Sequence, residues 1–200
     1  MLLLITSTSH ADSPVIMVLG DSLSAAYGLE QKAGWVSLLR ERLLAQGYPY
    51  QVINASISGD TTMGGVTRLP QALKQFSPDI LIIELGANDG LRGLSLHKTQ
   101  ENLQRMIELG RSAQSKVLLL GMMMPPNFGK AFTERFLQLY QDIATEQKVP
   151  LVPFLLAGVA DRREWMQSDG LHPNALGQPQ MLAHVWAQLL PLITVERVLH

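Results

Sequence analysis

Alternation constrains this chain more than any single motif does. Short strand candidates with apolar centres occupy residues 15–19, 51–54, 80–85, 117–121 and 151–154. They are brief, partly β-branched and bounded by turn-forming residues, the pattern of buried strands. Stretches with helical spacing lie between them. Residues 35–46 set Trp35, Leu38, Leu39, Arg42 and Leu43 along one face, and Gly47 stands where a helix C′ residue belongs. Residues 62–76 form a second helix candidate, interrupted by Gly64 and Gly65, and Thr99 can cap a third that carries Leu103, Met106, Ile107 and Gly110. Residues 131–147 carry Phe132, Phe136, Leu139, Tyr140 and Ile143, and a last helix runs from about 179 to 190. Five strands alternating with helices imply an α/β protein, a three-layer α/β/α sandwich around a five-stranded parallel sheet. The expected strand order is the flavodoxin-like 2-1-3-4-5.

Composition narrows the partners. The chain has 200 residues, 46% hydrophobic and 16% charged, which suits one domain with a sizeable core. Its net charge of −1 comes from interspersed acids and bases with no basic stripe, which argues against nucleic acid. No apolar run approaches the roughly 20 residues that span a bilayer, so no stable membrane insertion is expected. The absence of cysteine removes disulfides, thiolate chemistry and Cys-based zinc sites. At the start, Met1-Leu2-Leu3-Leu4-Ile5 is apolar, and Ser9-His10-Ala11 puts small residues where a signal peptidase reads them. Residues 1–11 are therefore expected to be a signal-peptide remnant and residues 12–200 a single periplasmic or secreted domain, monomeric. A frayed N-terminus is the plainer alternative.

Polar residues gather where the strands end. Ser22 follows the first run in Gly20-Asp21-Ser22-Leu23-Ser24, and Ser58-Gly59-Asp60 follows the second. Gly86-Ala87-Asn88-Asp89-Gly90 follows the third, and Asp169-Gly170-Leu171-His172-Pro173 lies beyond the fifth. In an open parallel sheet these ends share one edge, where ligands bind. Ser, Asp and Asn also cap helices, and Ser22 taken alone fits a cap as well as a catalytic role. The order serine, aspartate, histidine matches a nucleophile, an orienter and a base. A serine hydroxyl is a weak nucleophile until a base takes its proton. His172 suits that task, because an imidazole titrates at about pH 6.5. Asp169 could accept from the other ring nitrogen and fix the tautomer. A tetrahedral oxyanion needs donors already in place. The candidates are the backbone N–H groups of Ser22 and Gly59 and the side-chain amide of Asn88. Asp21 and Asp60 are expected to hold the loops through backbone hydrogen bonds.

At these residues the chain resembles the SGNH, or GDSL, hydrolase superfamily. Gly20-Asp21-Ser22-Leu23-Ser24, Gly59, Gly86-Ala87-Asn88-Asp89 and Asp169-Gly170-Leu171-His172 are similar to its four blocks, in order. The flanking residues from Asn54 to Thr61, Glu84 to Gly93 and Trp165 to Asn174 resemble the bacterial periplasmic thioesterase I, lysophospholipase and arylesterase group. The likeness covers roughly residues 12–192. It implies a flavodoxin-like sandwich, hydrolysis of esters and thioesters, and no cofactor or metal. It also implies that Ser22 is the nucleophile, His172 the base and Asp169 its partner, with Ser22, Gly59 and Asn88 donating to the oxyanion. The Gly-x-Ser-x-Gly elbow of α/β-hydrolases is missing.

The segment Met122-Met123-Met124-Pro125-Pro126-Asn127-Phe128-Gly129 follows the fourth run on the same edge. The family implies an acyl groove there, with Met124 and Pro125 binding substrate alongside Gly59 and Asn88; methionines suit a groove that re-packs around different chains. A strand end followed by a proline-stiffened turn explains the same residues without a ligand. Residues 91–97 are expected to be a mobile loop over the site, hinging at Gly93. His97, His184 and His200 have no metal-ligand spacing and are assigned to surface or packing, with His184 away from the strand-end loops. Trp35 and Trp186 are assigned to the core. The substrate class expected is a small-molecule ester or thioester: aryl esters, short to medium acyl chains, acyl-CoA and lysophospholipids. An acyltransferase or carbohydrate deacetylase would use the same triad. A flavodoxin-like binding module would need no Asp169–His172 pair.

Overall fold

The computed structural model describes residues 13–193. The expected signal remnant at 1–11, the mature start near Asp12 and His200 lie outside the described residues. Five strands form one sheet: β1 (Val15–Gly20), β2 (Gln51–Asn54), β3 (Ile80–Glu84), β4 (Lys116–Leu120) and β5 (Leu151–Val152). All pair in parallel in the order β2-β1-β3-β4-β5, as expected. The helices are α1 (Trp35–Ala45), α2 (Thr62–Phe76), α3 (Ala87–Leu91), α4 (Leu96–Ser112), α5 (Lys130–Gln147) and α6 (Gln178–Leu189). α1 packs with α6, while α4 packs with both α2 and α5, so the sheet lies between two helical layers.

The two central strands explain the layering. Ile16 to Leu19 of β1 and all five residues of β3 are buried. Strands covered on both faces cannot alternate polar with apolar, which is why they appear in sequence as unbroken apolar runs. Each fully buried Ile or Leu contributes roughly 1.5–3 kcal/mol. Trp35 and Trp186 are in the core, as expected. The Trp35 N–H at the start of α1 donates to Gln178 Oε1 at 2.9 Å, tying α1 to the first residue of α6. Gly47 takes φ +74° after α1, the left-handed C′ position anticipated for it.

Three local expectations are corrected. Ser95, not Thr99, caps the third long helix by accepting from the Lys98 N–H. Thr99 lies one turn inside α4, buried, with its hydroxyl turned to the Ser95 carbonyl and Asp89. Residues 91–97 are not one loop: Leu91 ends α3, Leu96 begins α4, and only residues 92–95 connect them. His184 does lie on α6, but it reaches a strand-end segment, with Nδ1 3.1 Å from the Leu155 carbonyl oxygen just beyond β5.

The junction of β4 and β5 generates a stability prediction. The Gly121 N–H donates to the Val152 carbonyl at 2.7 Å, and its own carbonyl accepts from Leu155 N–H at 3.0 Å. A Cβ at Gly121 would overlap the Pro153 carbonyl, which is backbone and cannot rotate away. Gly121→Ala should therefore cost roughly 1–3 kcal/mol, the usual penalty of overpacking. An unchanged melting temperature would refute this account of Gly121.

Candidate active site

The strand order reverses direction between β1 and β3, and the crevice at that point is where an open α/β sheet receives ligands. Ser22 follows β1, and Asn88 is the second residue of α3, the short helix after β3. No helix starts at Ser22. Residues 22–28 are consecutive turns, with Ala25 N–H bonded to the Asp21 carbonyl, and the next α-helix opens only at Trp35. The capping explanation for Ser22 is thereby removed.

The third participant comes from the far end of the chain. Residues 166–173 form a loop closed by an antiparallel bridge between Met166 and Pro173. Within it the Asp169 carboxylate folds back on its own segment. Its Oδ1 accepts from Leu171 N–H at 2.9 Å and His172 N–H at 3.0 Å, and its Oδ2 lies 2.7 Å from His172 Nδ1. The opposite ring nitrogen, Nε2, lies 2.8 Å from Ser22 Oγ. Desolvation pushes the Asp169 carboxyl up, but the two N–H groups and the imidazole outweigh it and pull the pKa down to about 2. An ionised carboxylate only accepts, so Nδ1 carries the proton and Nε2 is left to accept from the serine hydroxyl. The Tyr27 ring lies against the imidazole, centroids 4.7 Å apart. Gln167 braces that contact by donating to the Tyr27 and Pro173 carbonyls at 2.8 and 3.1 Å.

Donors face the same space. Among the described residues, the N–H groups of Ser22 and Gly59 have no hydrogen-bond partner. Gly59 has φ +79°, a conformation that favours glycine. The Asn88 amide uses one hydrogen on Asp21 Oδ2 at 2.9 Å, which fixes its plane and leaves the second hydrogen for a ligand. Ser22, Gly59, Asn88, His172, Met124 and Pro125 all line one pocket of about 450 Å³, while Asp169 stands behind the imidazole outside the lining. Leu91 lines it too, although it belongs to α3 rather than to a loop. Among the described residues no group of three or more His, Cys, Asp or Glu side chains is placed to share a metal ion. His97 is exposed and pairs with Glu101 at 3.0 Å.

Two buried carboxyls lie under the Ser22 turn. Asp21 accepts from Leu23 N–H at 3.0 Å, as anticipated for a loop-holding aspartate, and from Asn88. Burial pushes its pKa up to about 6 against the opposing effects of the Leu23 bond, the His172 charge and Asn88. Glu84, the last residue of β3, is fully buried; its Oε2 accepts from Ser24 Oγ at 2.6 Å and from Asp21 N–H at 3.2 Å. Desolvation, then the Asp21 charge, holds it well above the ordinary carboxyl range. Neither Glu84 nor Tyr27 was assigned a role from sequence. Glu84 left one usable sign, a lone acid ending an otherwise apolar strand, whereas Tyr27 left none.

Known proteins resemble this chain in sequence and in fold. A model of the GDSL-like Lipase/Acylhydrolase family matches residues 18–179. The chain belongs to this family, and it is an acyl hydrolase. It is 47% identical over 192 residues to the esterase TesA of Pseudomonas aeruginosa, covering 96% of each chain. It is 39% identical over 183 residues to thioesterase 1/protease 1/lysophospholipase L1 of Escherichia coli K12, covering 92% of this chain and 86% of the relative. Among solved structures, the psychrotrophic esterase EstA of a Pseudoalteromonas species, inhibited by monoethylphosphonate, superposes with a TM-score of 0.84 at 38% identity, covering 88% of this chain and 97% of that one.

The buried carboxyls carry a pH prediction with a definite sign. An acid whose folded pKa is raised keeps its proton in the native state where the unfolded chain has lost it. Stability is then fullest below the ordinary carboxyl range and declines as pH rises toward the folded pKa. Glu84→Gln keeps the shape and removes one such proton. Between about pH 5 and 7 the wild type should lose stability faster than Glu84→Gln, by about 1.4 kcal/mol per pH unit for a proton held throughout. Urea melts across that range test it, and parallel slopes would contradict a protonated Glu84.

Proposed function

We propose that this chain is a serine hydrolase that cleaves acyl esters and thioesters through an acyl-enzyme on Ser22. The observation that carries the reading is the continuous line from Asp169 through His172 to Ser22, with its two contacts of 2.7 and 2.8 Å. Nε2 accepts the hydroxyl proton as Oγ forms a bond to the acyl carbon. The carbonyl oxygen becomes an oxyanion and receives the N–H groups of Ser22 and Gly59 and the free hydrogen of Asn88. Collapse of this intermediate breaks the bond to the leaving alkoxide or thiolate, which takes the proton from the imidazolium. Water then repeats the sequence on the acyl-enzyme, with His172 again as base, and releases the acid.

The apolar side of the pocket favours an acyl chain. Met122, Met124 and Pro125 form part of its wall, and unbranched methionines adapt to chains of different length. Aryl esters, short to medium acyl esters, acyl-CoA and lysophospholipids are the substrates this arrangement accepts, and the names esterase, thioesterase and lysophospholipase of the two relatives above support the ester, thioester and lysophospholipid part of that range. The enzyme acts as a monomer outside the cytoplasm, its mature chain beginning near Asp12. Sequencing the N-terminus of protein from the native host checks the export claim, and an intact Met1 in cytosolic enzyme would end it.

Ser22→Ala and His172→Ala should each lower kcat by roughly 10⁴–10⁶, with the double variant little worse, because either loss already prevents attack. Asn88→Ala should lower kcat by roughly 10²–10³ with KM little changed. A phosphonate ester should add one covalent group to the peptide holding Ser22. Mass spectrometry locates it, and a label on Ser24, Ser56 or Ser58 would overturn the assignment. Activity should survive exhaustive chelation.

A further inference from the structure

Arg68 stands two turns inside α2, outside the pocket lining, with a side chain only 22% exposed. Its guanidinium reaches three separate stretches of chain. Nε donates to Asp60 Oδ2 at 2.7 Å, Nη2 donates to the Gly20 carbonyl at 3.2 Å, and Nη1 donates to the Ala55 carbonyl. Gly20 ends β1 two residues before Ser22. Ala55 is the first residue after β2. Asp60 directly follows Gly59.

The partners of Arg68 are themselves fixed. Asp60 Oδ1 accepts from Thr61 N–H at 2.9 Å, and Gly64 has no Cβ to collide with that carboxylate. The Gly20 carbonyl also accepts from Ile57 N–H at 3.0 Å, so it is the point where the Ser22 turn meets the Gly59 loop. We propose that Arg68 is a positioning residue that sets the spacing between the Ser22 and Gly59 N–H groups, and through it the fit of the oxyanion, without touching substrate. A planar fork with fixed donor directions can hold three acceptors in register, whereas an ammonium on a flexible stem cannot. The inference rests on the serine-hydrolase reading above.

The test compares wild type, Arg68→Lys and Arg68→Ala on an aryl acetate, with a small alkylboronic acid as a tetrahedral probe. Displacing one donor should cost roughly 10–10²-fold in kcat with KM nearly constant. Boronic acid affinity should fall by a similar factor, since its adduct on Ser22 places an oxygen where the oxyanion forms. The pH at half-maximal activity should not move, because the Asp169–His172 pair is untouched. Millimolar methylguanidinium should restore part of the rate of Arg68→Ala and none of the rate of Arg68→Lys. Asp60→Asn, which keeps an acceptor but removes the charge, should show a smaller loss of the same pattern if Arg68→Ala does not fold. Folded Arg68→Lys with wild-type kcat and boronic acid affinity would overturn the proposal, as would a loss confined to KM or to melting temperature. Full activity in Ser22→Ala would instead remove the underlying reading, and that variant leaves Arg68 intact.

Discussion

A parallel sheet buried on both faces leaves chemistry a single outlet, the ends of its strands. The side chains of β1 and β3 are sealed between two helical layers, and a polar group there loses its hydration unless a partner replaces it. Polar residues are therefore driven to the carboxyl edge, where loops can hydrate them or pair them. The reversal of strand order between β1 and β3 opens a gap at that edge. Ser22 and Asn88 stand on its two sides, and the bond from Asn88 to Asp21 crosses it. The fold does not choose a chemistry, but it fixes where chemistry can occur.

Three carboxyls close to that gap have three different environments. Asp169 accepts from two backbone N–H groups and an imidazole, and stays ionised. Asp21 is buried but bonded to Leu23 and Asn88, and lies in between. Glu84 is fully enclosed and retains its proton far longer than a free carboxyl. Their separation follows from hydrogen bonding set against desolvation. The group that must be an anion to orient the proposed base is the one the backbone stabilises best.

Much of this was legible along the chain because the relevant signals are local. The central strands are continuous apolar runs, Gly47 marks the end of α1, and Ser22 and Asn88 lie just past strand ends; Asp169 and His172 lie well beyond β5, and their part in the site was implied by the family resemblance. What was misread also has local causes. Thr99 and Ser95 both fit a cap, and the choice was made by Asp89, which draws the Thr99 hydroxyl inward. Residues 87–91 form a helix too short to show a period. Arg68 and Tyr27 carry no sign of a site role in the sequence, and Glu84 carries only its place as a lone acid ending an apolar strand, for a different reason. Their partners are distant in sequence: Gly20 is 48 residues from Arg68, and Ser24 is 60 from Glu84. Only the folded chain brings these groups together.

The shortest strand precedes the residue on which the proposed chemistry turns. β5 has two residues, sits at the sheet margin and leads into the segment that delivers His172. Ser22 and His172 are 150 residues apart, and the contact between them depends on the segment that follows β5. A ribosome must therefore release nearly the whole domain before any turnover is possible. Fraying at this margin would silence the enzyme while the central strands remained intact, so the working lifetime of the catalyst is governed by its weakest edge and not by its core.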